Sequence, residues 1–419
     1  MPDTSTRTQI LTRLGQRMGD GVTGTATAWT TTTMTDDSTT SPFSTFDNLA
    51  IWRGAYLYNA ATAVLTERRV TAYDATTMKL TTSLPNWTGI SATDAYEVHG
   101  LMSRAGKVEA LNRALARHCF FKLRQPLTLV LDGDMETSGT AKYAAVGTTT
   151  LSKTAASLLG SQSLRSVNTA ANSGASLATA LPVNAGDPYY LEALVKPGAG
   201  TVSLIAYDVT NSANIASTTM DGSKNAGWSL LWVDFTVPAT SRSLQVRLLS
   251  DGATDTHDWD DVILLHTWNT SYDLPDWLDG WHRMDGVWVR TPARDQDVRK
   301  WDFRPVAGAG KPYFYPANTS TGLVGSIQVP RGFQGQPVYV TGLKNYATLT
   351  TDTATTLCPS EWIEAATAVE ILQILMNSRR AVDQDAVRAD IQFWAGQYRS
   401  AYRKFAPTIT QRNMMYGKR

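Results

Sequence analysis

The sequence predicts an α+β protein of several domains, with a small N-terminal β-domain, a central antiparallel β-sandwich and a C-terminal helical hairpin. Three observations lead to this prediction. The chain has 419 residues, which at about 100–200 residues per domain suggests two to four domains. Short β-branched and aromatic segments, separated by turn residues, recur between residues 50 and 267. Apolar residues at helical spacing then return near the C-terminus.

Composition and charge argue against several classes of protein. The chain carries 38 basic and 37 acidic residues, a net charge of +1, whereas a protein that neutralises phosphates normally has a basic excess. The two cysteines, Cys119 and Cys358, match no zinc motif and are too few for a disulfide framework, so we expect reduced, partly buried thiols. No apolar run approaches ~18 residues, which argues against a membrane span. The polar N-terminus predicts synthesis in the cytoplasm without a signal peptide.

Residues 1–127 are predicted to form the N-terminal domain. Within residues 5–18 the apolar positions Ile10, Leu11, Leu14 and Met18 recur at helical spacing, and glycines end this helix. Short strands typical of a small β-barrel or sandwich are then predicted at 49–53, 55–58, 68–73, 78–82 and 95–98. Ser103 is a suitable N-cap for a helix over 103–123.

Composition changes at Pro126, and residues 128–267 are predicted to form the central sandwich as an insertion. Strands separated by Ser, Ala and Gly turns are predicted at 127–131, 163–167, 189–195, 201–207, 229–237, 243–249 and 262–265. We expect the first and last strands to pair, because insertion into another domain is tolerated when both ends of a module lie close together. Residues 268–357 are irregular and aromatic-rich and are predicted to be a β-rich arm.

The C-terminal residues 358–419 are predicted to form a helical hairpin and a basic tail. Pro359 suits the first position of a helix, with Glu361 in the first turn. A second helix is predicted from about 382 to 405, and the short linker at 377–381 favours a hairpin.

The central segment contains short motifs in a fixed order. It opens with Leu-Val-Leu-Asp-Gly-Asp-Met-Glu at 129–136 and continues with Gly-Ser-Gln-Ser-Leu-Arg-Ser-Val at 160–167. Val-Asn-Ala-Gly-Asp-Pro-Tyr-Tyr follows at 183–190, and Trp-Asp-Asp-Val closes the segment at 259–262. In this order and spacing it resembles the jelly-roll carbohydrate-binding modules found beside xylanases and glucanases. The resemblance implies the fold more strongly than sugar binding, because this sandwich is reused widely.

The resemblance also implies candidate site residues. In the family, the acidic residue of the opening motif and an aspartate of the closing motif often hold a structural calcium ion. These correspond to Glu136 and to Asp260 or Asp261, with Asp134 nearby. Carboxylates are suitable ligands for a hard cation, and the alternative is that these acids cap turns and pair locally.

Exposed aromatic side chains form the sugar-binding platforms of this family. The candidates in this chain are Tyr143, Tyr207, Trp228 and Trp259. Trp228 lies in a strand motif that favours core packing. The sequence assigns no pair of these residues to a platform, and Tyr207 and Trp259 are the glycan-binding residues that we predict.

The flanking segments carry a second, looser resemblance. Thr-Arg-Thr-Gln-Ile-Leu-Thr-Arg-Leu-Gly at 6–15, Ile-Trp-Arg-Gly at 51–54 and Cys-Pro-Ser-Glu-Trp-Ile-Glu-Ala-Ala-Thr-Ala at 358–368 are similar to neck proteins of tailed bacteriophages, the head–tail connectors or adaptors. The resemblance implies a homo-oligomeric ring, commonly of twelve copies, that docks under the portal protein beside other neck or tail proteins. It implies location in the virion and leaves contact of the ring's lumen with genome DNA open. The 13 Trp and 16 Tyr fit such interfaces.

Two functions remain as hypotheses, and neither is enzymatic. The histidines form no ligand pair such as HExxH, and neither a GxSxG motif nor a P-loop is present. The main hypothesis is a structural virion protein, a head-to-tail connector with the sandwich as an outward decoration. The alternative is a phage tail, baseplate or adhesin protein that binds host surface glycans through the sandwich. No cofactor is required beyond the structural calcium ion that the resemblance implies.

Overall fold

The computed structural model describes residues 4–19, 21–38, 41, 55–60, 66–74, 76–137, 139–252, 254–274, 278, 284–306, 313–315, 326–377, 384–407 and 415–416. The chain divides into two compact units. The first unit comprises Met1–Phe121 and Asn345–Pro407, and the second comprises Lys122–Lys344 and Thr408–Arg419. Each unit is described by itself.

The secondary structure is mainly β. The α-helices are α1 (Arg7–Met18), α2 (Arg104–Arg117), α3 (Ser360–Asn377) and α4 (Gln384–Phe405). The strands up to residue 126 are β1 (Ser5–Thr6), β2 (Gly21–Thr25), β3 (Ala28–Trp29), β4 (Thr33–Thr35), β5 (Tyr56–Asn59), β6 (Glu67–Asp74), β7 (Lys79–Thr82), β8 (Ala95–His99) and β9 (Phe120–Pro126). Those up to residue 208 are β10 (Tyr143–Val146), β11 (Thr149–Thr154), β12 (Ser163–Asn168), β13 (Ser173–Leu177), β14 (Leu181–Pro182), β15 (Pro188–Lys196) and β16 (Thr201–Asp208).

The remaining strands complete the sandwich and the region that follows it. They are β17 (Ala213–Asp221), β18 (Ser229–Thr236), β19 (Ser243–Ser250), β20 (Asp255–His266), β21 (Ser271–Asp273), β22 (Met284–Thr291), β23 (Asp302–Pro305), β24 (Tyr313–Tyr315), β25 (Ser326–Gln328), β26 (Val338–Asn345), β27 (Thr355–Thr356) and β28 (Met415–Tyr416). Short 3-10 helices occur at Gly222–Lys224, Val298–Lys300 and Arg331–Phe333.

The first unit contains the predicted small β-domain. Its seven-stranded sheet has the order β2-β8-β5-β6-β7-β4-β3. Trp29, Leu57, Trp87 and Tyr96 are buried in its core, and the Trp29 and Trp87 rings meet edge to face at 5.3 Å. The strands predicted at 55–58, 68–73, 78–82 and 95–98 are confirmed as β5 to β8. The strand predicted at 49–53 lies outside the described residues.

Two helices of the first unit begin with side-chain caps. Thr6 and Gln9 form a capping box at the start of α1, and Gly19, with φ of 63°, ends that helix. The Ser103 hydroxyl accepts a hydrogen bond from the Gly106 amide at the start of α2, as predicted. The predicted end of that helix at residue 123 is wrong. Helix α2 stops at Arg117, and β9 follows because its aromatic residues favour extended chain where β26 offers backbone hydrogen bonds.

The C-terminal hairpin is confirmed as α3 and α4. The amides of Trp362 and Ile363 donate to the Pro359 carbonyl oxygen in the first turn of α3, and Leu372 and Trp394 share a buried core with α1 and α2. Most of the predicted linker lies outside the described residues. No described helix is both long enough and apolar enough to cross a lipid bilayer.

Both cysteines lie buried in this unit as free thiols. A hydrogen bond between the thiols of Cys119 and Cys358, together with burial, raises the pKa of Cys358 above its ordinary value. A thiol held protonated in this way is a poor nucleophile, and both cysteines belong to the same buried apolar core.

The second unit contains the sandwich, built from two antiparallel sheets. The first sheet has the order β10-β13-β19-β16-β17, with β14 also paired to β19, and the second has the order β11-β12-β20-β15-β18. Leu164, Leu191, Leu204 and Val246 are among the residues of the core between them. Six of the predicted strands, from the one at 163–167 to the one at 262–265, correspond to β12, β15, β16, β18, β19 and β20.

The predicted first strand at 127–131 is instead an irregular segment. It still lies beside the end of the sandwich, because the Leu129 amide donates to the Leu264 carbonyl oxygen at 3.0 Å. The Val262 amide donates to the Gly133 carbonyl oxygen at 2.7 Å. The opening and closing segments of the module therefore meet, and its insertion into another domain stays a prediction.

Residues 268–344, most of the predicted arm, belong to the same compact unit as the sandwich. Strands β21, β25, β24 and β28 form one sheet, and β23, β22, β26 and β9 form another. A second buried core joins Tyr190 and Leu265 of the sandwich to Val287 and Tyr339 of these sheets. This region is therefore packed on the sandwich through a continuous apolar core.

Candidate functional site

The two sheets of the sandwich present different outer faces. In β15 and β20, the side chains that alternate with the sandwich core include Tyr190, Ile263 and Leu265, and these are buried in the second core. This outer face is therefore covered. In β16 and β19, the alternate residues Tyr207, Gln245 and Arg247 stay partly exposed, which leaves the outer face of the first sheet accessible. We call this surface the open face.

Three polar and aromatic side chains form a cluster near the middle of the open face. Tyr207 pairs with Gln245, and Arg247 lies between Ile205 and Ser176 on the neighbouring strands. The Arg247 guanidinium carbon lies 3.2 Å from the centroid of the Tyr207 ring. Arg247 Nε donates to Gln245 Oε1 at 3.1 Å. Stacking and hydrogen bonding thus fix the guanidinium and the phenol ring relative to each other.

The main chain holds the third member of this cluster in place. Gln245 Nε2 donates to the Leu177 carbonyl oxygen at 2.7 Å, so the amide is fixed at both of its polar ends. The exposed residues Asn214 and Ser217 lie on the edge strand beside the cluster. The open face therefore offers an aromatic ring, a cation and several neutral hydrogen-bonding groups, which together suit a hydroxylated ligand.

The four aromatic candidates from the sequence occupy different environments. Tyr207 is partly exposed on the open face and Trp228 is partly exposed just before β18. Tyr143 is buried, and its hydroxyl donates to the Asp132 carbonyl oxygen at 3.2 Å. Trp259 is 0% exposed and lies in the sandwich core. The prediction that Trp259 binds glycan is therefore corrected, because a ligand has no access to a core side chain.

The predicted calcium ligands lie in one acidic region, but most of their oxygens already accept hydrogen bonds. Glu136 Oε1 accepts from the amides of Ser161 at 2.6 Å and Gln162 at 3.0 Å, and its other oxygen accepts from the Ser161 hydroxyl at 2.5 Å. Asp260 Oδ2 accepts from the Leu158 amide at 3.1 Å. These contacts match the alternative that the acids cap turns.

Burial and mutual repulsion perturb the carboxyl groups of this region. Burial, with the nearby charges of Asp132 and Glu136, raises the pKa of Asp134 to about 7. Burial is also the main reason why the pKa values of Asp260 and Asp261 are raised. Asp261 Oδ2 is buried and has no hydrogen-bond partner. Ionised carboxylates are costly here unless a proton or a cation compensates them.

As arranged, these carboxylates do not converge on a common point. Among the described residues, no group of three or more His, Cys, Asp or Glu could hold a metal ion. Calcium binding stays a prediction. A rise in melting temperature on adding calcium, reversed by EDTA, would support it.

A cavity of about 230 Å³ lies in the first unit. Glu97 and His99 line it, and the two side chains are 3.1 Å apart. Arg104 Nε donates to Glu97 Oε2 at 3.2 Å, and Lys107 Nζ lies 3.1 Å from His99 Nδ1. Because these groups compensate one another, we assign the network to the packing of α2 against β8.

Sequence reasoning missed Arg247 and Gln245. The alternation of Leu244, Val246 and Leu248 in the core places both residues on the outside of β19, and this pattern is readable from the sequence. The contact with Tyr207 is not, because it depends on the register that pairs Tyr207 with Gln245.

Comparisons with known proteins give structural likeness only. No protein-family model matches the chain, and no curated protein matches it. Among solved structures, the family 22 carbohydrate-binding module of Clostridium thermocellum Xyn10B matches with 19% identity over 31% of this chain and 89% of that chain, at a TM-score of 0.26. The CBM22-1 xylan-binding domain of Paenibacillus barcinonensis Xyn10C matches with 20% identity over 35% of this chain and 94% of that chain, at a TM-score of 0.26.

A phage protein also matches part of the chain. The enzymatically active domain of bacteriophage CBA120 tailspike protein 4 is 13% identical over 33% of this chain and 21% of that chain, at a TM-score of 0.27. These solved structures are two carbohydrate-binding modules and a tailspike domain, and each likeness covers about a third of this chain.

Proposed function

We propose that the protein binds a glycan on the open face of its sandwich. The observation that carries this proposal is the cluster of Tyr207, Arg247 and Gln245, in which a fixed aromatic ring lies beside fixed hydrogen-bonding groups on an accessible surface. The apolar ring can contact the C–H face of a sugar, and the neighbouring groups can bind its hydroxyls. The proposal assigns binding without a catalytic step.

The test uses the full chain on an array of bacterial surface polysaccharides and plant polysaccharides, followed by calorimetry with each ligand found. Replacing Tyr207 with Ala is expected to weaken binding about threefold to tenfold, since an aromatic contact contributes about 0.5–1.5 kcal/mol beyond its buried area. Trp268 is the matched control, because it is 66% exposed but lies after β20 rather than on the open face.

The two variants separate the outcomes. Weaker binding by Tyr207→Ala with unchanged binding by Trp268→Ala supports the open face. The reverse pattern moves the site to Trp268 and contradicts the proposal. Absence of binding to every polysaccharide on the array contradicts it as well.

A second candidate is a subunit of an oligomeric assembly, with the phage head–tail connector as its most specific form. The observation that favours assembly is the exposure of Phe393 at 59% and Tyr402 at 41% on α4, because large exposed apolar side chains are typical of interfaces. Location in the virion, a ring of about twelve copies and docking to a portal protein stay predictions of this candidate. Light scattering of the purified chain tests it, and a strictly monomeric protein at high concentration contradicts it.

A further inference from the structure

The charge of the open face is unbalanced at its centre. Arg247 lies in the central strand β19, in a row with Ser176, Ile205 and Ser217 on the neighbouring strands. The other outward positions of this sheet are uncharged, apart from one at its far end. A ligand that covers the middle of the open face therefore meets one positive charge and no negative charge.

The other charged residue on the outward side of this sheet is Asp221, the last residue of β17, which pairs with Thr201. It lies four residues along β17 from Ser217, and at about 3.3 Å per residue this places it about 13 Å along the strand. Its carboxylate already contacts Lys224 at 3.1 Å and the Ser223 hydroxyl at 2.6 Å. Because this separation exceeds the screening length of about 8 Å at physiological salt, Asp221 does not neutralise Arg247.

Arg247 also lacks an acidic partner of its own. Among the described residues, its one hydrogen bond runs from Nε to Gln245, and it takes part in no ion pair. The terminal Nη atoms are therefore available, and the stack on Tyr207 limits the orientations of the planar group. A guanidinium held in this way presents parallel N–H donors that match a carboxylate or a sulfate.

We propose that the ligand of the open face is an acidic polysaccharide, whose carboxylate or sulfate is bound by Arg247 while a sugar ring contacts Tyr207. This inference rests on the proposed glycan binding and adds the charge of the ligand to it. A guanidinium can donate two parallel hydrogen bonds to two oxygen atoms of either a carboxylate or a sulfate. The feature that Arg247 recognises is therefore the negative charge that both groups carry.

The experiment compares acidic oligosaccharides with neutral partners of the same linkage. The full chain is titrated with oligogalacturonate, oligoglucuronate and a sulfated galactan, and with the carboxyl-reduced or desulfated form of each. We expect at least one acidic form to bind about tenfold or more tightly than its neutral partner, because charge-assisted hydrogen bonds are about twice as strong as neutral ones. We also expect this preference to weaken at 1 M salt, where screening is strongest.

Three variants then assign the preference to one side chain. Arg247→Gln should abolish the difference between acidic and neutral forms, and Arg247→Lys should keep part of it because the charge remains. Arg242→Gln is the matched control, since Arg242 is exposed in the same sandwich but donates to the carbonyl oxygens of Ala239 and Ser241. It should leave the preference unchanged.

The outcomes distinguish the two proposals. Equal binding of acidic and neutral forms by the unaltered chain overturns the acidic preference but leaves glycan binding in place. If the unaltered chain binds neither form of any oligosaccharide and no polysaccharide on the array, both proposals are overturned. If Arg247→Gln loses affinity equally for the acidic and the neutral forms, with an unchanged melting temperature, Arg247 only positions Tyr207 and the charge proposal is overturned.

Discussion

The buried ion pair between Glu192 and Arg290 offers a quantitative test of how residues 268–344 are held on the sandwich. Glu192 lies on β15 and Arg290 on β22, and both side chains are 0% exposed. Two parallel bonds join them, Arg290 Nη1 to Glu192 Oε1 at 2.8 Å and Nη2 to Oε2 at 2.5 Å. The Tyr190 hydroxyl also donates to Glu192. Burial opposes the charge, but Glu192 keeps the pKa of Arg290 raised.

Replacing Glu192 with Gln removes the negative charge and leaves the shape. Two charge-assisted bonds at about 1.5–3 kcal/mol each are lost, and one neutral bond of about 1 kcal/mol can form in their place. The expected loss in the free energy of unfolding is about 2–5 kcal/mol. This range overlaps the roughly 3–5 kcal/mol that is typical when one partner of a buried ion pair is removed and the other charge stays buried. A domain is stable by only about 5–15 kcal/mol, so the second unit should be markedly weakened.

Hydrogen exchange measured peptide by peptide is the suitable assay, because a chain with two units does not guarantee a single unfolding transition. We expect the most protected amides of β15 and β22 in Glu192→Gln to exchange about thirtyfold to several thousandfold faster, because every 1.4 kcal/mol corresponds to about a factor of ten. Asp234→Asn is the control. It breaks the Arg294–Asp234 pair, which has the same 2.8 Å separation but is nearly half exposed on both sides, and exposed pairs contribute about 0–1 kcal/mol.

Equal effects of Glu192→Gln and Asp234→Asn would refute this reasoning. So would a double variant, Glu192→Met with Arg290→Met, that is less stable than either single variant. Replacing a whole buried pair by apolar residues of similar volume is often neutral or stabilising.

Two further predictions concern the sandwich. Burial lowers the pKa of His257 despite the nearby Asp255, and the neutral ring accepts a hydrogen bond from the Gly198 amide at 2.9 Å. The contribution of His257 to stability should therefore persist above about pH 6.5 and be lost as pH falls below it. In denaturant melts between pH 7 and 5, the free energy of unfolding should change less with pH in His257→Gln than in the unaltered chain, and an unchanged pH dependence would argue against the assignment. An added Cβ at Gly133 would overlap the Val262 carbonyl oxygen, so Gly133→Ala should cost about 1–3 kcal/mol, whereas Gly227→Ala, with open space around it, should have little effect in the same melts.

Regular patterns in the sequence predict much of the fold. The alternation of apolar and polar residues fixes β16 and β19, and capping residues fix the starts of α1 and α2. Strands built from small or polar residues, such as Ser173–Leu177 and Ala213–Asp221, escape prediction because they lack apolar alternation. At residues 120–123 the predicted helix gives way to β9, because the aromatic residues favour extended chain and β26 supplies the backbone partners, and the second of these causes cannot be read from the local sequence.

The error at Trp259 has a specific physical cause. Trp259 and Val262 both lie in the sandwich core although they are three residues apart, which strict alternation forbids. The register of β15 and β20 shifts between Glu192 and Leu194, and Asp261 takes a positive φ of 41°. This irregularity reverses the faces of the closing motif, so its aromatic residue points inward. A sequence alone does not locate such a bulge.

The covering of one sandwich face bears directly on the function of the other. Since the outer face of β15 and β20 is buried by apolar residues of the second core, a ligand that binds a sheet of the sandwich must use the open face. There, Arg247 lies between Ser176 and Ile205 on the neighbouring strands, and Tyr207 lies between Gln245 and Asn214. A polymer that lies across the strands would contact the cation and the aromatic ring together. Charge and ring stacking should therefore act as one recognition feature.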